Sequence, residues 1–166
     1  MTTPLTIYVA DLAAYNAGTL HGTWIDATAH GCDPELIEEE IQKLLSKSPV
    51  PGAEEFAIHD HEGFGESIRE YTPISEVCEV AEFIGEHGEA ALASLALGDG
   101  LSEARPRIEN GYHVVESLAE YAQEYVEDTG LEIPSFIHVD WEATGRDLAM
   151  DMSEVRMGGM LYLFGP

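Results

Sequence analysis

The pattern of hydrophobic and polar positions begins with short extended segments. Three of them are rich in β-branched and aromatic residues, which predicts strands: residues 6–11, 20–26 and 55–60. Asp33 and Pro34 then provide a helix N-cap and a proline at the first helical position. Apolar residues at helical spacing follow as far as Leu45. Residues 1–61 are therefore expected to form a small sheet with one helix.

Beyond Pro73 the pattern has the period of an amphipathic helix. One predicted face carries four apolar residues, Val77, Val80, Ala81 and Ile84. The opposite face carries four acids, Glu76, Glu79, Glu82 and Glu86. Gly85 and Gly88 indicate a break, and an alanine-rich helix is expected from Glu89 to Leu97. Residues 62–104 are thus predicted to be a helical, acidic subdomain.

The last part of the chain, residues 105–166, is predicted to mix helix and strand. Ser117 is a candidate N-cap with Glu120 at the capping-box position. The acids in and around this predicted helix recur at helical spacing: Glu116, Glu120, Glu124, Glu127 and Asp128. A further helix is expected over 140–150 and a strand over 160–164. Together these elements predict an α+β fold, an elongated chain of three small subdomains over 1–61, 62–104 and 105–166.

The net charge is the strongest constraint on the function of this chain. The 166 residues contain 32 Asp and Glu but only seven Lys and Arg, so the net charge is −25. The charge is −8 over residues 1–60, −9 over 61–103 and −8 over 104–166, so it is not an acidic tail. A hydrophobic content of 45% is that of a folded chain. At least 25 carboxylates lack a cationic side-chain partner, and most must face water because burying them unpaired is costly.

The acidic balance excludes several partners. Nucleic-acid binding requires Lys and Arg to neutralise phosphates, and an acidic surface is repelled by anionic lipid. The N-terminus lacks a secretory pattern, and no segment has the roughly 20 apolar residues that span a membrane. Cys32 and Cys78 form neither a disulfide framework nor a zinc pattern. We expect a cytoplasmic protein with reduced cysteines that binds neither nucleic acid nor membrane.

The density of charge is close to that of DNA. A compact chain of this length has a diameter of roughly 40 Å. Duplex DNA carries one charge per about 1.7 Å, so 25 charges correspond to about 42 Å of duplex. The folded chain and duplex DNA therefore carry similar charge per unit length.

Candidate chemistry is sparse. With 32 carboxylates, acidic pairs arise by chance, and no phosphate-binding glycine loop or nucleophile elbow is present. His59 and His61 could be two metal ligands on one strand face, but no third ligand follows at suitable spacing. The alternative places both at an exposed strand end. Trp24 and Trp141 are interpreted as core aromatics. We therefore expect no enzyme, no cofactor and no metal site.

Three segments resemble the signatures of the ArdA antirestriction proteins. The first runs from Tyr8 to Leu12 and continues with Tyr15, Asn16, Gly18, Leu20, Gly22 and Trp24. The second is 54–60, and the third is 140–143 followed by 145–148. Asp11, His61 and Trp141 depart from the residues usual in that family. The signature residues, taken as mainly structural, are Tyr8, Asp11, Tyr15, Asn16, Gly18, Trp24, His59, Asp60, Trp141, Arg146 and Asp147.

The resemblance implies a cytosolic protein of a mobile genetic element, associated with conjugative transfer. It implies an elongated, curved homodimer with its dimer contact in the C-terminal part. Its acidic surface would imitate DNA in the groove of type I restriction-modification enzymes and block both restriction and modification. On this reading the enzyme-binding surface is formed by the predicted helical acids and Glu89, and no catalysis is implied.

Three alternatives remain at this point. A salt-adapted protein is also acidic and poor in lysine, and it would unfold in low salt. An acidic binding module could buffer calcium or inhibit another DNA-binding enzyme. An enzyme would have to use His59, Asp60 and His61.

Overall fold

The computed structural model describes residues 3–166, which contain two separately compact units. The N-terminal unit extends to Gly88 and the C-terminal unit begins at Glu89. Helices and two small antiparallel sheets confirm the predicted α+β class. The boundaries proposed near residues 61 and 104 stay predictions. None of the helices in residues 3–166 is long and apolar enough to cross a membrane.

The N-terminal unit is a three-stranded sheet with helices packed on one face. Its elements are β1 (Thr6–Asp11), α1 (Leu12–Asn16), β2 (Gly22–Asp26), a 3-10 turn (Ala29–Gly31), α2 (Pro34–Ser46), β3 (Phe56–Glu62) and α3 (Ile74–His87). The strand order is β2-β1-β3, all antiparallel. Ile7, Val9 and Ile25 are buried, as are Ile37 and Ile41 of α2.

The C-terminal unit places helices against both faces of a second sheet. Its elements are α4 (Glu89–Leu95), α5 (Leu101–Glu109), β4 (Tyr112–Val115), α6 (Leu118–Thr129), α7 (Trp141–Leu148), β5 (Ser153–Met157) and β6 (Met160–Phe164). The strand order is β4-β6-β5. Leu161 and Leu163 pack with Tyr121 of α6 on one face. Tyr162 and Phe164 pack with α4 alanines on the other. The strictly alternating directions of successive β6 side chains create these two cores.

Local signals predicted several elements closely. Asp33 caps α2 and Ser117 caps α6 through hydrogen bonds to backbone amides. β1 has the predicted bounds, and β6 does as well. Gly85 does not break α3, which continues to His87, because a single glycine inside a helix costs only about 1 kcal/mol. Four elements were not predicted, namely α1, α5, β4 and β5.

The interpretation of the tryptophans as core residues was wrong for Trp24. The side chain is 47% exposed, because β2 alternates and Ile25 takes the buried side. Trp24 lies opposite Tyr8 on the open face of the sheet, with ring centroids 5.5 Å apart. Trp141 is only partly buried, at the start of α7.

Candidate functional site

Nearly all the acidic side chains lie on the surface. Every Asp and Glu is exposed except Asp11, which is buried, and Glu40 and Glu120, which are partly buried. The fold therefore presents its charge to solvent in both units. Arg107 pairs with Asp99, but seven Lys and Arg can neutralise only a small share of 32 acids. The surface as a whole is an uncompensated polyanion.

Helix α3 presents a row of four glutamates. Glu76, Glu79, Glu82 and Glu86 are exposed, while Val77, Val80, Ala81 and Ile84 are buried. Spacings of three and four residues separate successive glutamates by about 4.5 to 6 Å along the helix axis. Burial of the apolar face fixes the helix rotation, so the carboxylates are held outward. Like charges at this spacing each cost a few tenths of a kcal/mol, which the buried apolar face offsets.

Helix α6 carries the second row. Ser117 Oγ accepts a hydrogen bond from the Glu120 amide (3.2 Å), and Glu120 Oε2 accepts one from the Glu116 amide (2.5 Å). Glu120 therefore contributes to the helix start as well as to the charge. Glu116, Glu124, Glu127 and Asp128 are exposed. Tyr121 and Ala122 are buried and anchor the opposite face of the helix.

Glu89, the remaining acid assigned to the surface, also has an internal contact. Its Oε2 accepts a hydrogen bond from the Tyr162 hydroxyl (3.1 Å). Burial and the Glu89 carboxylate raise the pKa of that hydroxyl. Glu89 and Glu120 thus differ from the other acids assigned to the enzyme-binding surface, since their carboxylates also make hydrogen bonds within the fold.

Asp11 is the exception to the exposed pattern. It is fully buried and caps α1, with Oδ1 accepting from the Ala14 amide (3.1 Å). Burial raises the pKa of this carboxyl. Four neighbours lower the pKa by more than burial raises it: the Ser48 hydroxyl, the backbone amides of Ala14 and Ala13, and His21. The pKa of Asp11 therefore lies below its ordinary value. Asp11 therefore stays ionised and acts as a structural residue.

The other residues of the first signature surround this cap. Tyr8 packs on Trp24, and a side chain at Gly22 would collide with the Tyr8 hydroxyl. Asn16 ends α1, and Gly18 follows with a positive φ of 80° in the turn toward β2. Tyr15 is about half exposed. These positions shape the sheet and its first helix.

The second signature lines a polar concavity. His59 is the extra residue of a bulge in β3, since Tyr8 pairs with Asp60 and Val9 with Ile58. Its ring meets Tyr15 edge-on at 4.8 Å, and Nε2 lies 3.7 Å from Glu70 Oε1. His61 also lines this concavity of about 490 Å³. Among the side chains that the structure describes, which exclude that of His30, no three His, Cys, Asp or Glu are arranged to hold a metal ion.

The third signature is built on the contact between α6 and α7. Asp140 caps α7 by accepting a hydrogen bond from the Ala143 amide (3.0 Å). Gly145 is buried, and a Cβ there would overlap the Leu118 carbonyl of α6. Arg146 and Asp147 are exposed. The glycine allows the helices to approach closely, a role that the sequence alone did not show.

The chain was compared with models of known protein families. The family model described as antirestriction protein (ArdA) matches residues 7–160 of the 166-residue chain. The chain belongs to the ArdA antirestriction protein family. The match includes all three signatures and both acidic helices, and it confirms the resemblance seen in the sequence. A search among curated proteins found no match.

Membership of the ArdA family assigns an antirestriction function and therefore an interaction with restriction-modification enzymes. The structure divides the predicted site residues into two groups. Most acids of α3 and α6 are free to meet a partner, whereas Asp11, Tyr8 and Trp24 support the fold. Sequence reasoning missed a third feature, the exposed apolar segment after α6. Leu131, Phe136 and Ile137 are three large apolar residues of this segment, and their side chains are exposed.

Proposed function

We propose that this ArdA protein is a DNA mimic that occupies the DNA-binding groove of type I restriction-modification enzymes. It acts as a homodimer in the cytoplasm, blocks both restriction and modification of incoming DNA, and catalyses no reaction. The observation that carries the proposal is the exposure of nearly all 32 acids in a chain with only seven Lys and Arg.

The physical basis is competition between two polyanions. An enzyme that binds duplex DNA gains much of its affinity by pairing Lys and Arg with phosphates and releasing condensed counterions. A folded surface of carboxylates can occupy the same cationic groove. Long-range attraction would speed the encounter and make it sensitive to salt.

The helical rows supply charges at a spacing comparable to that of DNA. Each DNA strand carries one phosphate per about 3.4 Å of axis. Successive carboxylates on α3 lie about 4.5 to 6 Å apart along the helix. Exposed acids elsewhere add to this density, so the contact is expected to be spread over many residues.

The proposal is tested by titrating purified protein into a type I enzyme with its DNA substrate, for several such enzymes. Cleavage and methylation should both stop near stoichiometric protein at moderate salt, and high salt should relieve the block. Unaffected activity at large excess for every enzyme would refute the proposal. Loss of cleavage with full methylation would refute occupation of a shared DNA groove.

A further inference from the structure

The only two lysines of this chain, Lys43 and Lys47, lie four residues apart at the C-terminal end of α2. Both are exposed, and both line a groove of about 250 Å³ together with Thr23, Glu40 and Leu44. We call it the lysine groove. Residues 1–68 contain no other Lys or Arg. The sparse positive charge of this part of the chain is therefore concentrated at one place.

Ion pairs within the fold do not account for the two lysines. The ion pairs among the described side chains involve His59, His87 and Arg107, and neither lysine. Glu40 also lines the groove, but it is only partly buried and has an interaction within the chain. A spacing of four residues places the two ammonium groups side by side on the helix, which is unfavourable for like charges. Both ammonium groups are thus available to a partner.

The groove is held open by secondary structure. His21 Nε2 donates a hydrogen bond to the Leu44 carbonyl (3.0 Å), which fixes the end of α2 beside the start of β2. β2 is an edge strand that pairs only with β1, and it contributes Thr23 to the lining. Small-molecule sites usually measure about 300–1,000 Å³. The smaller lysine groove suits one or two side chains of a protein partner.

We propose that the lysine groove binds a carboxylate-bearing segment of the type I restriction-modification enzyme, outside its basic DNA groove. Unpaired ammonium groups are repelled by the Lys and Arg of a DNA-binding groove and attracted by Asp and Glu. DNA presents no cation, so this contact distinguishes the protein from DNA and favours its target over other DNA-binding proteins. The inference rests on the proposed function, because the enzyme is the partner proposed there.

The direction of a mutational effect separates this contact from mimicry alone. Lys43→Gln combined with Lys47→Gln makes the polyanion more negative by two charges. If the protein only attracts a basic groove, this double variant binds the enzyme as tightly as the wild type or more tightly. If the lysines pair with carboxylates of the enzyme, the dissociation constant rises about threefold to tenfold. We expect the second result.

The test is isothermal titration of the full chain into a purified type I enzyme without DNA, at moderate salt. Arg69→Gln is the matched control for each single lysine variant, because it removes an exposed cation of the same unit that does not line this groove. It should not weaken binding. Lys43→Arg with Lys47→Arg keeps both charges and should retain most of the affinity. Urea unfolding checks that each variant is folded, since cations also stabilise a helix C-terminus. A double Gln variant that binds as tightly as the wild type, or an equal loss in Arg69→Gln, would overturn the inference.

Carbodiimide cross-linking identifies the partner directly, because it joins a lysine amine to a carboxylate in contact with it. Mass spectrometry should find Lys43 or Lys47 joined to an acidic peptide of the enzyme. Cross-links only to acids of the same chain or of a second copy would overturn the inference. Wild-type protein that neither binds nor inhibits any type I enzyme would refute the proposed function and this contact together. Inhibition by the wild type that is unchanged in the double Gln variant would refute the lysine contact alone.

Discussion

Single residues in this protein divide into those that carry charge outward and those that hold the fold. Asp11 belongs to the second group, because its ionised carboxylate is buried and caps α1. An acid whose folded pKa is depressed contributes stability above its unfolded pKa of about 3.9, and this contribution is lost as the pH falls through the folded pKa.

We predict that Asp11→Asn keeps the cap but removes this pH dependence. The unfolding free energy of the wild type minus that of the variant should be larger at pH 7 than at pH 3. Urea unfolding at the two pH values measures it. Ser48→Ala should show part of the same effect, since the Ser48 hydroxyl lowers the pKa of Asp11. An equal difference between wild type and Asp11→Asn at both pH values would contradict the assignment.

The two thiols provide a second prediction at this scale. Burial raises the pKa of Cys78 to about 11, and burial with nearby Glu82 and Asp26 raises the pKa of Cys32. Because the thiolate is the reactive form, both should react slowly with a disulfide reagent at pH 7.5. Unfolding in urea should expose two rapidly reacting thiols. Fast labelling of Cys78 in the folded protein would show that it is accessible.

At the scale of elements, strong local signals predicted what the structure contains. N-caps at Asp33 and Ser117 and the apolar stripe of α3 identified three helices. The weaker elements depended on long-range contacts. β4 has three exposed residues and only Val115 buried, so its pairing with β6 sets its conformation. α5 contains Pro106, which argues against a helix until its packing on α4 is known.

The candidate site was predictable to a similar extent. Exposure of the acids followed from charge and helical periodicity alone. The Glu89–Tyr162 hydrogen bond joins residues distant in sequence, and no local pattern indicates it. Trp24 was wrongly predicted to be a core residue, because composition does not show whether a side chain of an edge strand faces the core or the solvent.

The α6–α7 contact gives a prediction with a matched control. Gly145→Ala should destabilise the C-terminal unit by about 1–3 kcal/mol, because the new methyl group overlaps the Leu118 carbonyl. Gly85→Ala also lies inside a helix but has open space at its Cβ, so it should stabilise by about 0.4–1 kcal/mol. Thermal unfolding of both variants compares them. Two similar effects of the same sign would contradict the close approach.

For the whole molecule, we propose that the energy of binding to the enzyme is spread over many carboxylates. Glu120→Gln should therefore leave inhibition almost unchanged, particularly because glutamine also suits a capping box.

Neutralising the entire α3 row (Glu76, Glu79, Glu82 and Glu86 to Gln) should weaken inhibition at least roughly tenfold and make it less sensitive to salt. A control with four Gln replacements elsewhere, at Glu38, Glu39, Glu54 and Glu55, changes the net charge equally. Its smaller effect would show that position matters as well as total charge. Loss of inhibition from one exposed substitution, with fold and dimer intact, would contradict distributed mimicry.

If the protein imitates DNA as we propose, it and duplex DNA compete for one groove of the enzyme. Fluorescently labelled duplex bound to a purified type I enzyme, titrated with this protein at several salt concentrations, tests it most directly. We predict complete displacement of the duplex, an apparent inhibition constant that rises in proportion to the DNA concentration, and weaker displacement at high salt. A stable ternary complex of enzyme, duplex and this protein would contradict it.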